Sequence, residues 1–167
     1  MTRALIGGVG HRWQRDASFG VVASDRFAHR RWPHGVSVAD LGYGALYAAQ
    51  DIADANPRYD VLVLIAAMPR DREAGHLYSY WYDRPLPSDD EVQERIREAG
   101  AGVIDVDHLL VIGHRLGALP QHVFVVELEP TDMSPGIDLS AAAERRLDEA
   151  EALVRSAISE VGVQVAL

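Results

Sequence analysis

The sequence predicts a three-layer α/β/α sandwich built on a mostly parallel, twisted sheet, and three observations carry that prediction. An apolar run near the start breaks into a Gly8-Val9-Gly10 turn, and an amphipathic segment follows within a few residues. Val61–Ala67 is a run of consecutive apolar residues, as expected of a central parallel strand buried on both faces. Along the rest of the chain, strand-like apolar runs alternate with helical periodicities. That alternation is the mark of βαβ units whose sheet is covered on both sides.

Element by element, residues 4–9 read as a short buried strand. Residues 18–31 place Val21, Val22, Phe27 and Ala28 at helical spacing, and Trp32-Pro33-His34-Gly35 stops the helix. Val36–Asp40 reads as a second strand closing in Leu41-Gly42-Tyr43-Gly44, followed by a helix over 45–55 that Asn56-Pro57 ends. Beyond the central strand, residues 69–75 form a charged loop. Residues 76–82 then set Tyr78, Tyr80 and Tyr82 on one side and Leu77, Ser79 and Trp81 on the other, a half-exposed strand. Ser88-Asp89-Asp90-Glu91 is a capping box opening a helix that runs to about residue 98. A loop over 100–105 leads to a helical stretch ending near Leu116-Gly117, and His122–Leu128 is another buried strand. Turn residues fill 130–138. The last helix starts at about Ser140, with Leu147, Ala150, Leu153, Val154, Ala157 and Ile158 as its apolar stripe. Residues 161–167 alternate weakly and read as a short terminal strand. No repeat or linker divides the chain, so residues 1–167 are expected to form one domain.

Composition narrows the function classes. At 167 residues and 48% hydrophobic, the chain can bury a sizeable core. Sixteen basic against twenty-five acidic residues give a net charge of −9, which argues against a nucleic-acid partner held through phosphates. Absence of cysteine excludes disulfides, thiolate metal sites and cysteine nucleophiles. The start carries no signal-peptide pattern and no apolar run reaches membrane-spanning length, so a cytoplasmic protein without a membrane partner is expected.

Among candidate sites, Gly8-Val9-Gly10 alone is a weak dinucleotide signal, because Trp13 stands where a third glycine would let the helix approach. Asp16 and Asp40 each fall just beyond the carboxyl end of one of the first two strands, where open α/β sheets bind ligands. Two acids converging there can hold a metal or act as a base. The plainer alternative makes Asp16 a helix cap and Asp40 the opening of the Gly42/Gly44 turn. His29, His34 and His114 suit helix C-terminal ends, His76 and His122 begin strands, and no serine sits in a Gly-x-Ser-x-Gly elbow.

Taken in order, these motifs resemble the hydrogenase maturation endopeptidases, which remove a C-terminal extension from the large subunit of nickel–iron hydrogenases. That family opens with a strand, Gly-x-Gly-Asn, an Asp-Glu/Asp pair and Gly-Phe-Gly. Here Gly8-Val9-Gly10-His11 and Asp16-Ala17-Ser18-Phe19-Gly20 follow the same frame. Asp40-Leu41-Gly42 resembles the family's second strand end, Val61–Ala67 its third strand, and Ala74-Gly75-His76-Leu77-Tyr78 its Pro-Gly-Thr element. Leu116-Gly117-Ala118-Leu119-Pro120, the strand after it and the long last helix resemble its tail. The resemblance thus spans nearly the whole chain.

It implies a nickel ion, carried by the substrate, held by the second acid of the pair, the aspartate after the second strand and a histidine ahead of the fifth. Carboxylate and imidazole suit that metal. Here the second acid is Ala17, the aspartate of the third-strand Asp-Ala pair is Ala66, and the histidine position falls near Gly102. Asp40 is retained. The resemblance therefore points to Asp16 and Asp40 as catalytic candidates and to Asp40, Asp16 and His11 or His108 as a compensating ligand set. It implies a hydrogenase large-subunit precursor as partner. Two functions stay open: an aspartic-type, metal-directed endopeptidase, and a protease-like assembly or binding factor that keeps the fold without cleavage. The bland alternatives leave His11 a loop residue and His108 a helix-surface residue.

Overall fold

The structure is a computed structural model, and it describes residues 1–162. Five strands form one sheet: β1 (Ala4–Gly8), β2 (Val36–Asp40), β3 (Val61–Ala67), β4 (Leu77–Trp81) and β5 (His122–Leu128), in the order β2-β1-β3-β5-β4. The first four in that order run parallel, and β4 pairs antiparallel with β5. Among the described residues there are six α-helices: α1 (Phe19–Phe27), α2 (Ala45–Asp54), α3 (Asp89–Gly100), α4 (Val106–Arg115), α5 (Ala141–Glu144) and α6 (Leu147–Glu160), of which α3 packs on α4 and α2.

Strand periodicity divides the apolar residues into two cores. On β3, Val61, Val63 and Ile65 join Phe19, Ala23 and Phe27 of α1 and Ala150, Val154 and Ile158 of α6 on one face. Leu62, Leu64 and Ala66 point the other way, onto Ala48 and Ile52 of α2 and Val106, Leu109 and Leu110 of α4. Every residue of β3 is buried, which is why its sequence shows no polar alternation. Helix α1 lies directly on the sheet through two glycines: a Cβ on Gly8 would stand 2.0 Å from the Gly20 carbonyl oxygen, and one on Gly20 would stand 2.0 Å from that of Ile65. Gly20, not a residue at position 13, thus provides the close helix approach.

Side-chain caps set the starts of α3, α4 and α5. The Ser88 hydroxyl accepts from the Glu91 amide at 3.2 Å, the Asp105 carboxylate from the His108 amide at 2.9 Å, and the Ser140 hydroxyl from the Ala143 amide at 3.2 Å. Two elements differ from the sequence expectation. The first helix is entered through a 3-10 turn (Arg15–Ser18) and stops at Phe27, whose carbonyl accepts the Trp32 indole N–H at 2.8 Å. The last helix is two pieces, a single turn capped by Ser140 and then α6. Between them Arg146 turns aside to donate to the Gly75 carbonyl at 2.7 Å. Val161 and Gly162 form a turn after α6, and the remainder of the expected terminal strand, 163–167, lies outside the described residues. Among the described residues no helix is long and apolar enough to cross a membrane.

Because β1 is flanked by β2 and β3, successive connections leave it in opposite directions. That is the switch point at which parallel sheets open a crevice beyond their carboxyl ends. The loops after β1, β2, β3 and β5 meet at this rim.

Candidate functional site

All sixteen basic residues of the chain are arginines, so each ion cluster at the rim is built around a planar fork. The loop after β1 carries the first of them. It is unusual in backbone: Trp13 and Arg15 adopt positive φ, 72° and 42°, with Trp13 left 65% exposed. Hydrogen bonds to the 129–140 loop hold this conformation. The Gly136 amide donates to the Trp13 carbonyl at 2.9 Å, and the Arg15 amide to the Gly136 carbonyl at 3.2 Å.

Asp16 anchors the same pair of loops from beneath and is fully buried. Its Oδ1 accepts from the Ser140 amide at 2.8 Å. Its Oδ2 accepts from the amides of Thr131 (2.9 Å) and Asp132 (3.2 Å) and the hydroxyls of Thr131 and Ser140 (both 2.9 Å). Burial opposes its ionisation, but the amides and hydroxyls of Ser140 and Thr131 outweigh it and hold the carboxyl below its ordinary range. In this arrangement the carboxylate fastens the long loop before α5 to the start of α1. It presents no free oxygen to the rim.

Asp40, at the end of β2, does face the rim. Its Oδ1 accepts the Gly42 amide at 2.7 Å, the turn-opening bond, while its Oδ2 accepts from Arg12 Nη2 at 2.7 Å. The Arg12 guanidinium also forks onto Asp25 of α1, at 2.7 and 3.0 Å. Donating to Asp25 and Asp40 holds Arg12 still more firmly protonated than an ordinary arginine.

His11, half-buried, donates its amide to the Ala17 carbonyl at 3.1 Å. His108 is buried in the α3–α4 corner, with Nδ1 2.6 Å from Asp105 and Nε2 2.6 Å from Glu98. The His108 bond in turn holds the Glu98 carboxyl below its ordinary value. His108 therefore ties two helices together, rather than lying on a helix surface. Among the described residues no three His, Cys, Asp or Glu side chains group as a metal cradle, so the set Asp16, Asp40, His11 and His108 is not assembled. The residues present do not fit the three-ligand grip implied by the resemblance.

A second cluster, absent from the sequence reading, fills the rim beyond β3 and β5. Glu127, fully buried, accepts from Arg70 (2.7 and 2.8 Å) and the Tyr80 hydroxyl (2.9 Å) and forms an ion pair with Arg72 at 2.9 Å. Arg70 also forks onto Asp107 of α4, at 2.8 and 3.1 Å, and Arg72 reaches Glu129 at 3.0 Å. Burial, with the Glu127 charge, pushes the Tyr80 hydroxyl up. The available signal was an acid inside an apolar strand, His122–Leu128, which demands a cation. A cleft of about 200 Å³ opens beside this cluster, but Arg70 and Arg72 are already committed to carboxylates.

This arrangement, a β2-β1-β3-β5-β4 sheet covered on both faces with polar loops at one rim, defines a class: it is the fold of the hydrogenase maturation endopeptidases. Among particular structures, the chain is similar to the hydrogenase 2 maturation peptidase of a Thaumarchaeota archaeon, with 24% identity, a TM-score of 0.67 and coverage of 98% of this chain and 100% of that one. It is similar to the hydrogenase maturating endopeptidase HybD of Escherichia coli at 20% identity and a TM-score of 0.73, over 98% of this chain and 96% of that one. The [NiFe] hydrogenase maturation protease HycI of Thermococcus kodakarensis gives 17% identity and a TM-score of 0.69, over 95% and 93%. No family model and no curated protein matches the sequence.

Proposed function

We propose that this protein acts in hydrogenase maturation, as an endopeptidase that removes the C-terminal extension of a nickel–iron hydrogenase large-subunit precursor. The observation that carries the reading is the likeness of fold to solved maturation peptidases over nearly the full length of both chains. The precursor would engage the rim at the β1–β3 switch point, around Asp40 and Arg12. Exposed apolar side chains ring that rim: Trp13 and Tyr43 on the loops after β1 and β2, and Met133 and Ile137 on the loop fastened to the first by Gly136. Such a ring suits a polypeptide substrate better than a small molecule. Any nickel is the precursor's cargo and is part of the substrate. Within this chain, Asp40 is the acid that meets the precursor, and Asp16 acts by positioning the loop that carries Met133 and Ile137.

A second reading, a precursor-binding factor without cleavage, is favoured by the commitments of the two acids: Asp16 to the 131–140 loop, Asp40 to Arg12. One experiment separates the readings. A nickel-loaded precursor is incubated with the native chain and with Asp40→Ala, and the precursor's intact mass is followed. Loss of the C-terminal extension with the native chain, abolished in Asp40→Ala, supports the endopeptidase. Stable co-elution without any mass change supports the binding factor, and neither cleavage nor binding overturns both.

A further inference from the structure

The three charged side chains at the β1–β2 half of the rim come from three separate elements: Arg12 from the loop after β1, Asp25 from α1 and Asp40 from the end of β2. Their geometry is that of two anions sharing one cation. Both oxygens of Asp25 and the outer oxygen of Asp40 point at a single guanidinium, within 2.7–3.0 Å, and the other oxygen of Asp40 is taken by the Gly42 amide. An ion pair this exposed contributes little to folding, since the side chains of Arg12, Asp40 and Asp25 are 42%, 36% and 53% accessible. Its consequence is electrostatic: two carboxylates gathered at a rim would otherwise attract a divalent ion.

We infer that Arg12 is the resident cation of this rim, and that its guanidinium keeps free divalent metal ions from the Asp25–Asp40 pair. The maturation-peptidase fold is thereby fitted with an arginine where the resemblance implies a metal grip. The chain's own charge, not a captured ion, neutralises Asp40. A fork with fixed bidentate geometry does this more durably than a hydrated ammonium. A metal ion bridging Asp25 and Asp40 must displace Arg12 from both carboxylates.

The inference concerns the rim used in the proposed reading, but its test involves Ni²⁺ alone and is independent of precursor cleavage. Ni²⁺ is titrated calorimetrically into the native chain, Asp40→Asn, Arg12→Gln, Arg12→Lys and Arg12→Gln/Asp40→Asn, with far-UV circular dichroism confirming that each is folded. Arg12→Met serves in place of Arg12→Gln should the glutamine variant misfold. The native chain should show no Asp40-dependent site, and Arg12→Gln should acquire one at least tenfold tighter than any native binding. The double variant should lose that site, and Arg12→Lys, which keeps a cation, should stay close to native. Native binding that Asp40→Asn abolishes, with an affinity within threefold of Arg12→Gln, would overturn the inference. So would an Arg12→Gln variant that gains no site.

Discussion

Asp16→Ala removes the acceptor for three amides and two hydroxyls while leaving every donor in place. The carboxylate is fully buried, and its five hydrogen bonds fasten the 131–140 loop to the entry of α1, beside a looser Arg15–Asp132 ion pair at 3.5 Å. A hydrogen bond to a charged group contributes about 1.5–3 kcal/mol, and a buried donor left unpaired costs about 1–3 kcal/mol. Thr131 and Asp132 are exposed and regain water, and the two hydroxyls can turn toward each other, so the five losses do not add. A net cost of about 3–5 kcal/mol remains. That is a large fraction of the 5–15 kcal/mol over which domains are typically stable. Urea unfolding followed by circular dichroism, with both transitions two-state and of equal slope, measures it. The pH dependence supplies an internal check. The Asp16 carboxyl is held below its ordinary value of 3.8, so its contribution is complete above that value and is lost as pH falls through the depressed folded-state value. The gap between native and Asp16→Ala should therefore be constant from pH 8 to about pH 5 and close only in stronger acid. A cost below about 1 kcal/mol, or a gap that closes near neutrality, would refute the anchoring role.

Other outcomes follow from the same geometry. Gly20→Ala places a methyl against the Ile65 and Val9 carbonyl oxygens, at 2.0 and 2.4 Å, where backbone cannot give way; thermal unfolding should report a loss of about 3 kcal/mol or more. Glu127→Gln leaves Arg70 and Arg72 facing a neutral group at a fully buried position and should cost about 3–5 kcal/mol in denaturant unfolding. Asp148→Ala breaks its pair with Arg26, in which the aspartate is 82% exposed, and should leave Tm unchanged within error.

How far the sequence could be read depended on whether the deciding interaction was local. Val36–Asp40, Val61–Ala67 and His122–Leu128 have their expected bounds because continuous burial or a turn beside each run fixes them. The cap at Ser88 is likewise local, and its hydroxyl accepts the Glu91 amide as the motif specifies. The end of α1 at Phe27 and the break before α6 depend on Trp32 and on Arg146 reaching Gly75. The latter is a contact across 71 positions that no periodicity reveals. The site shows the same division. The turn role of Asp40 was visible in Asp-Leu-Gly, and its bond to the Gly42 amide matches. Its partner Arg12 lies 28 positions away in a loop of uncommon backbone, and Asp16's donors lie 115 to 124 positions away. Asp40 faces the rim while Asp16 is buried beneath it, because what each acid bonds was set by tertiary contacts.

Hydrogen–deuterium exchange of the native chain, alone and with a nickel-loaded large-subunit precursor, tests most directly whether the switch-point rim is the working surface. Exchange should slow in the loops at 9–16, 41–44 and 131–137 and stay unchanged at the opposite ends of the strands, around 33–35 and 117–121. Protection confined to those opposite ends, with the loops around Arg12 and Asp40 exchanging as in the free chain, would contradict it.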